Sequence, residues 1–371
     1  MHPRLCASAG SSSMAIHRDA VSSAKAAEAE QHSLRGYLTR LAAGNGLARQ
    51  EARQLLDLLL SASSSEAQIA AILTALSVKG ETEEELAGLA DGMRAHMLRL
   101  PEELGRVIDI VGTGASRAKT FNVSTASAFV IAAAGLPVAK HGGRAATSRS
   151  GSADLLGALG IAFDIPPELA VQSLRQLGLC FLFAPKYHPA TARVAGIRKQ
   201  LGIRTAFNLI GPLSNPALAP LQILGVSDGA LQRKMAAALV RLGCEKAWVV
   251  HGLDGLDEIS LETETRIFEV ANGAVREFTL SPEDFGLRRG NCDSVRGGDA
   301  TQNAVIATAV LDGSRRDVAR DLVLLNASAA LHLGLGLELK AAVALAEKAI
   351  DNGSAIDKLQ RVRALTNSGV A

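Results

Sequence analysis

Between residues 34 and 100 the apolar positions recur at helical spacing. Ala52, Leu55, Leu56 and Leu59 form one stripe, Ile69, Ile72, Leu73 and Leu76 a second, and Leu86, Leu89 and Met93 a third. Ser65 stands before the second run, and Thr82 with Glu85 makes a capping box for the third. These residues predict a small all-helical unit over 34–100. After Pro101 the period changes. Val107-Ile108-Asp109-Ile110-Val111 is a β-branched run that ends in Gly112-Thr113-Gly114, and a helical stretch follows over 124–134. Residues 136–139 predict a second strand, then a loop from Lys140 to Arg144 and a helix from Ser152 or Ala153 to Leu159. Apolar runs at 179–183, 221–226 and 247–250 alternate with helical patterns at 169–177, 231–242 and 303–311, and 320–333 and 339–352 close the chain as helices. Such alternation predicts an α/β domain over 101–371, with a mainly parallel central sheet flanked by helices.

Composition narrows the classes of function. Of 371 residues, 48% are apolar and 20% charged, which excludes a disordered or disulfide-built chain and allows two domains. Lys plus Arg at 39 against Asp plus Glu at 37 leaves a net charge of +2, and aromatics are 3%. That balance argues against nucleic acid and membrane as partners, so any anion site is local. Cys6, Cys180, Cys244 and Cys292 lie far apart with no C-x-x-C pair, which indicates neither zinc nor a disulfide framework and suits a reduced cytoplasm. Gly, Arg, Lys or Asp interrupts the apolar stretches before the ~18 residues that a membrane span needs. Residues 1–33, rich in Ala and Ser without an apolar secretion segment, read as a disordered extension.

Three segments at strand ends carry candidate chemistry. The first runs from Gly112 to Thr125, with five hydroxyls and the cations Arg117 and Lys119. Glycines between a strand and a helix free backbone N–H groups to surround an anion. A tight turn is the alternative, and the spacing is neither that of a P-loop nor of a dinucleotide fingerprint. The second, Lys140 to Ser152, holds three cations, His141, three glycines and four hydroxyls, and reads as an anion loop over a solvated basic loop. Two such loops at successive strand ends converge on the carboxyl edge of a parallel sheet, where ligands sit. In the third, His251 to Glu258, the adjacent carboxylates Asp257 and Glu258 are hard oxygen ligands, against a capping or turn role. Next to two anion loops they imply Mg2+, because a pyrophosphate beside carboxylates needs a cation between them. A fourth segment, Lys186 to Pro189 with Arg198, Lys199, Arg204 and Asn208 to Pro216, offers an arginine for a bidentate carboxylate contact, though spacing does not choose which.

At Asp109–Gly114, Thr120–Ser127, Lys140–Gly142, Ser150–Asp154, Phe183–Pro189, Asn208–Pro216 and His251–Ser260 the chain resembles the anthranilate phosphoribosyltransferases. The resemblance covers all but the N-terminal extension. It implies a helical domain completed by a segment near 190–216, packed on the larger domain, and a homodimer that meets through the helical domains. It implies phosphoribosyl pyrophosphate and anthranilate as substrates. The donor would meet Gly112, Gly114, Ala115, Ser116, Thr120, Asn122, Val123, Ser124, Thr125, Lys140, Ser148 and Ser152. One or two Mg2+ ions would sit on Ser124, Asp257 and Glu258, and the acceptor against Gly112, His141, Gly143 and Arg198. His141 is the candidate to contact the acceptor or take up a proton, against the alternative of a histidine packed for structure. Two departures stand out. The usual Gly-Thr-Gly-Gly-Asp-Gly has become Gly-Thr-Gly-Ala115-Ser116-Arg117, and the usual Asn after Lys-His-Gly is Gly143. They leave open a different aromatic acceptor, or a catalytically weak homologue that binds ligands.

Overall fold

The computed structural model describes residues 32–114, 120–145 and 149–368. The expectations for 1–31 and for Ala115, Ser116 and Ser148 therefore lie outside the described residues. Among the described residues four helices come first, Leu34–Ala42, Arg49–Leu60, Glu66–Lys79 and Glu83–His96. Ser65 and Thr82 cap the third and fourth, each with a reciprocal bond from Gln68 or Glu85. Helices Ala192–Leu201 and Ala206–Ile210 pack on this group, and Val194, Ile197 and Phe207 share its core with Leu55, Ile72 and Leu76.

The described residues form seven strands, β1 (Ile108–Gly112), β2 (Val138–Gly142), β3 (Leu179–Phe183), β4 (Leu221–Gly225), β5 (Lys246–Gly252), β6 (Thr265–Ala271) and β7 (Ala274–Leu280). They form one sheet in the order β3-β2-β1-β4-β5-β6-β7. The pairings among the first five are parallel, and β5–β6 and β6–β7 pair antiparallel. Side chains alternate between faces with period two. Ile223, Trp248, Val250 and Ile267 enter a core with helices Val123–Ala133 and Val318–Leu335. Leu224, Ala247, Val249 and Phe268 face the opposite way, onto helix Gln232–Arg241, and join the core of the helical group.

The structure corrects several sequence expectations. β2 runs over Val138–Gly142, so Lys140 and His141 lie within the strand, paired with Phe181 and Leu182 of β3. Charged residues look like loop to a hydrophobicity reading, but here both side chains are buried. The β6–β7 hairpin escaped, although its turn, Asn272-Gly273 with φ 53° and 73°, carries the dipeptide that suits two left-handed residues. β7 is a mostly exposed edge strand and lacks an apolar run. A last helix, Ser354–Ser368, buries Ala355, Leu359, Val362 and Thr366. Helix Val318–Leu335, with 18 residues, is long and apolar enough to cross a membrane by composition alone. Its burial between the sheet and helices Val123–Ala133 and Leu339–Asp351 accounts for that composition.

Candidate functional site

At the carboxyl ends of β1, β2 and β5 lies an open cavity of about 340 Å³. Parallel strands leave unpaired backbone groups and diverging loops at this edge, which is why it collects ligand-binding residues. Gly112, Thr113, Gly114, Thr120, Asn122, Ser124 and Thr125 line it from the first segment, and Lys140, His141, Gly143 and Ser152 from the second. Asp257 and Glu258 line it from the segment after β5. Three stretches that are up to about 145 residues apart in sequence thus meet at one edge.

The carboxylates grip the first loop. Asp257 Oδ2 accepts from the Gly114 N–H (3.1 Å), and Glu258 Oε1 and Oε2 accept from the Ser124 N–H (3.0 Å) and Thr120 Oγ1 (3.2 Å). Gly114 adopts φ 70°, which a side chain would strain. Gly112 and Gly225 lie side by side at the ends of β1 and β4 and leave room for the 257–258 backbone. Burial, then the adjacent Asp257 charge, pushes Glu258 up to about 8. This half-buried acid pair, with the Ser124 hydroxyl also lining the cavity, is a set of hard oxygens that fits Mg2+.

Lys140 Nζ donates to the Ile110 carbonyl and to Ser124 Oγ (3.4 Å). Burial lowers its pKa, opposed by Asp109 and Glu258. The backbone N–H of His141 donates to Asp109 Oδ1 (3.1 Å), and its ring stands 5.1 Å from that of His188. Burial, then His188, drives His141 down to about 3. That suits a neutral imidazole that makes hydrogen bonds, and not a store for a proton. Ser152 Oγ donates to the Gly143 carbonyl (3.3 Å).

Two predicted residues stand apart from the cavity. The Val123 side chain is in the core and its N–H bonds the Phe121 carbonyl (2.6 Å), so neither faces a ligand. Arg198 does not line the cavity itself. Its Nε donates to Thr205 Oγ1 (3.2 Å), its Nη2 to Asn208 Oδ1 (3.4 Å), and its guanidinium lies 5.2 Å from the Phe207 ring. Asn208, which does line the cavity, connects them. Burial lowers the Arg198 pKa, and no carboxylate opposes it. Sequence reasoning also missed Gly297, Gly298 and Asn303, which form a further wall. The Gly-Gly pair before the capping box of Asp299 and Gln302 marks a turn and a helix start. Nothing local places it 180 residues back in the chain, against the first loop.

This architecture, a helical bundle beside an α/β unit whose strand ends hold glycine loops and paired carboxylates, matches the glycosyl transferase family. The helical bundle domain of that family matches residues 35–97 and its a/b domain residues 104–356. The anthranilate phosphoribosyltransferase of Moorella thermoacetica is 47% identical over 339 residues, 91% of this chain and 100% of that protein. The crystal structure of the Thermus thermophilus anthranilate phosphoribosyltransferase superposes with a TM-score of 0.83 at 40% identity, over 89% of this chain and 99% of that one. The Saccharomyces cerevisiae enzyme, solved in complex with phosphoribosyl pyrophosphate and Mg, gives 0.83 at 30% identity, over 91% and 99%. The chain belongs to the anthranilate phosphoribosyltransferases.

Proposed function

We propose that the chain transfers phosphoribose from phosphoribosyl pyrophosphate to the amine of anthranilate, giving N-(5-phosphoribosyl)anthranilate and pyrophosphate in tryptophan biosynthesis, with Mg2+. The observation that carries this reading is the meeting of the first glycine loop, Lys140 and the Asp257–Glu258 pair at one sheet edge. Gly112, Gly114, Thr120, Asn122, Ser124, Thr125, Lys140 and Ser152 would hold the donor. Ser124, Asp257 and Glu258 would hold Mg2+, which when bound supplies positive charge to the diphosphate.

Displacement at the anomeric carbon gathers negative charge on the departing pyrophosphate. N–H groups of the loop and Lys140, fixed before the substrate arrives, lower the barrier by stabilising that charge. The nucleophile is a neutral aryl amine, so no strong base is required, in keeping with a neutral His141. Arg198, half-buried with no carboxylate opposing its charge and joined to the cavity through Asn208, would orient the anthranilate carboxylate. Residues 34–100 with the segment near 190–216 would act as one unit and 101–371 as the other. A homodimer through the helical units and a cytoplasmic setting complete the reading.

The test is loss of anthranilate fluorescence on mixing with phosphoribosyl pyrophosphate and Mg2+. Rapid loss that EDTA abolishes is expected; no loss with both substrates saturating refutes the reading. A second reading, a bulkier aromatic acceptor, draws on Gly143. Among the described residues a Cβ there would meet Ala184 Cβ at 3.9 Å and Pro185 Cδ at 4.0 Å, ordinary contacts that leave room beside His141. An acceptor panel in which anthranilate beats every ring-substituted analogue rejects it.

A further inference from the structure

The wall formed by the turn 296–299 and helix Ala300–Leu311 presents one buried polar side chain, Asn303, which is 3% exposed. Its Nδ2 donates to Asn122 Oδ1 (2.9 Å), and its Oδ1 accepts from the Gly298 N–H (2.8 Å). The same Asn122 Oδ1 accepts from Ser150 Oγ (3.0 Å), while Asn122 Nδ2 donates to the Ser150 carbonyl (3.1 Å). An amide oxygen has two lone pairs and its nitrogen two protons. Asn122 therefore has both lone pairs and one proton engaged by protein, which leaves a single N–H for a ligand. Its amide is a knot between segments that lie at 122, 150 and 303 in the chain.

We infer that Asn303 is a positioning residue for the donor site, which ties the first anion loop to the second through the Asn122 amide. The inference rests on the reading of this cavity as the phosphoribosyl pyrophosphate site. The backbone beneath it supports the same role. Thr120 and Arg296 form an isolated antiparallel bridge, and a Cβ on Gly297 would lie 2.5 Å from the Thr120 carbonyl oxygen and 2.9 Å from the Phe121 nitrogen. The turn thus rests directly on residues 120–121, and Asn303 fixes the side chain that follows them. The amide at 303 donates to Asn122 and accepts from Gly298 together. A carboxylate in its place sets an oxygen against Asn122 Oδ1.

Steady-state kinetics of Asn303→Asp test this. KM for phosphoribosyl pyrophosphate is expected to rise about tenfold, the effect of losing one buried hydrogen bond that orders a binding loop. KM for anthranilate at saturating donor should stay within about twofold. Ser150→Ala removes the other bond to Asn122 Oδ1, so once Asn303→Asp has freed the amide, adding Ser150→Ala should raise KM little further. A side chain that serves only to stabilise helix Ala300–Leu311 lowers Tm without this split between the two KM values. A folded Asn303→Asp with wild-type donor KM, or effects of the two substitutions that multiply, overturns the inference. If Asn303→Asp does not fold, Asn303→Ser, one atom shorter and unable to reach both partners, replaces it with the same two outcomes. If the wild-type protein shows no turnover, the functional reading fails. Calorimetric titration of wild type and Asn303→Asp with phosphoribosyl pyrophosphate then decides the positioning role separately, with equal affinities counting against it.

Discussion

Gly225→Ala probes how the Asp257–Glu258 pair is held. Gly225 ends β4 in register with Gly112 of β1 and Val250 of β5, so its backbone is fixed on both sides. A Cβ on it would stand 1.6 Å from the Asp257 carbonyl oxygen and 2.5 Å from its carbonyl carbon. Contacts under 3.0 Å are essentially never seen, so the 257–258 peptide must retreat by about 1.4 Å. Overpacking of this kind costs about 1–3 kcal/mol of stability, and a misplacement of about 1 Å costs on the order of a hundredfold in rate. The expected outcome is a folded protein whose kcat/KM for phosphoribosyl pyrophosphate falls about a hundredfold, with half-saturation by Mg2+ raised about tenfold or more. Initial rates across a Mg2+ titration, with Tm from calorimetry, supply the readout. Gly112→Ala is the internal comparison. Its Cβ would meet the Asp257 side-chain oxygen at 2.7 Å but the Asp257 carbonyl oxygen only at 3.5 Å, so the peptide keeps its place and a smaller loss of stability is expected, while Mg2+ half-saturation still rises because that side-chain oxygen must move. A Gly225→Ala protein with wild-type rate and Mg2+ dependence refutes the packing argument.

Other outcomes follow from the same geometry. Without Mg2+, native Glu258 titrates near 8 and the unfolded side chain near its ordinary 4.5, so the native state binds more protons between those values. Stability then falls as pH rises from about 5 to 8. Tm in EDTA should decline over that range and flatten in Glu258→Gln; an unchanged slope in the variant contradicts the burial of this acid. Arg198→Ala should raise KM for anthranilate about tenfold or more, the loss of a charge-assisted contact, with donor KM unchanged; an unaltered anthranilate KM removes the carboxylate role. In Gly88→Ala a Cβ would lie 2.1 Å from the Arg49 carbonyl oxygen, where helices Arg49–Leu60 and Glu83–His96 cross closely. About 1–3 kcal/mol of destabilisation is expected, read as a lower Tm, and a wild-type Tm shows that the helices separate without cost.

Much of the fold was legible because it is written in local period. The stripes at 52–59, 69–76 and 86–93, their caps at Ser65 and Thr82, the β-branched run that became β1 and the apolar runs that became β3, β4 and β5 all depend on neighbours within one turn or one pleat. The two glycine loops and the carboxylate pair were legible for the same reason, since clusters of glycine, hydroxyl and charge are costly to bury in a core. Lys140 and His141 mark the limit of that logic. Strand pairing and partners from β1 bury these polar side chains, a cost that no local window registers.

By itself, then, the sequence determined the helical unit, the alternation of strands and helices, and the glycine, hydroxyl and charged residue types that line the cavity. Tertiary structure alone decided which of them touch. It set Val123 into the core and put Asn208 between Arg198 and the cavity. It placed Gly225 beneath Asp257, and brought Asn303 to Asn122 across 181 positions. Contacts at such separation form only when the sheet has ordered its strands and aligned their carboxyl ends. Their geometry is a property of backbone packing, which local residue patterns do not encode.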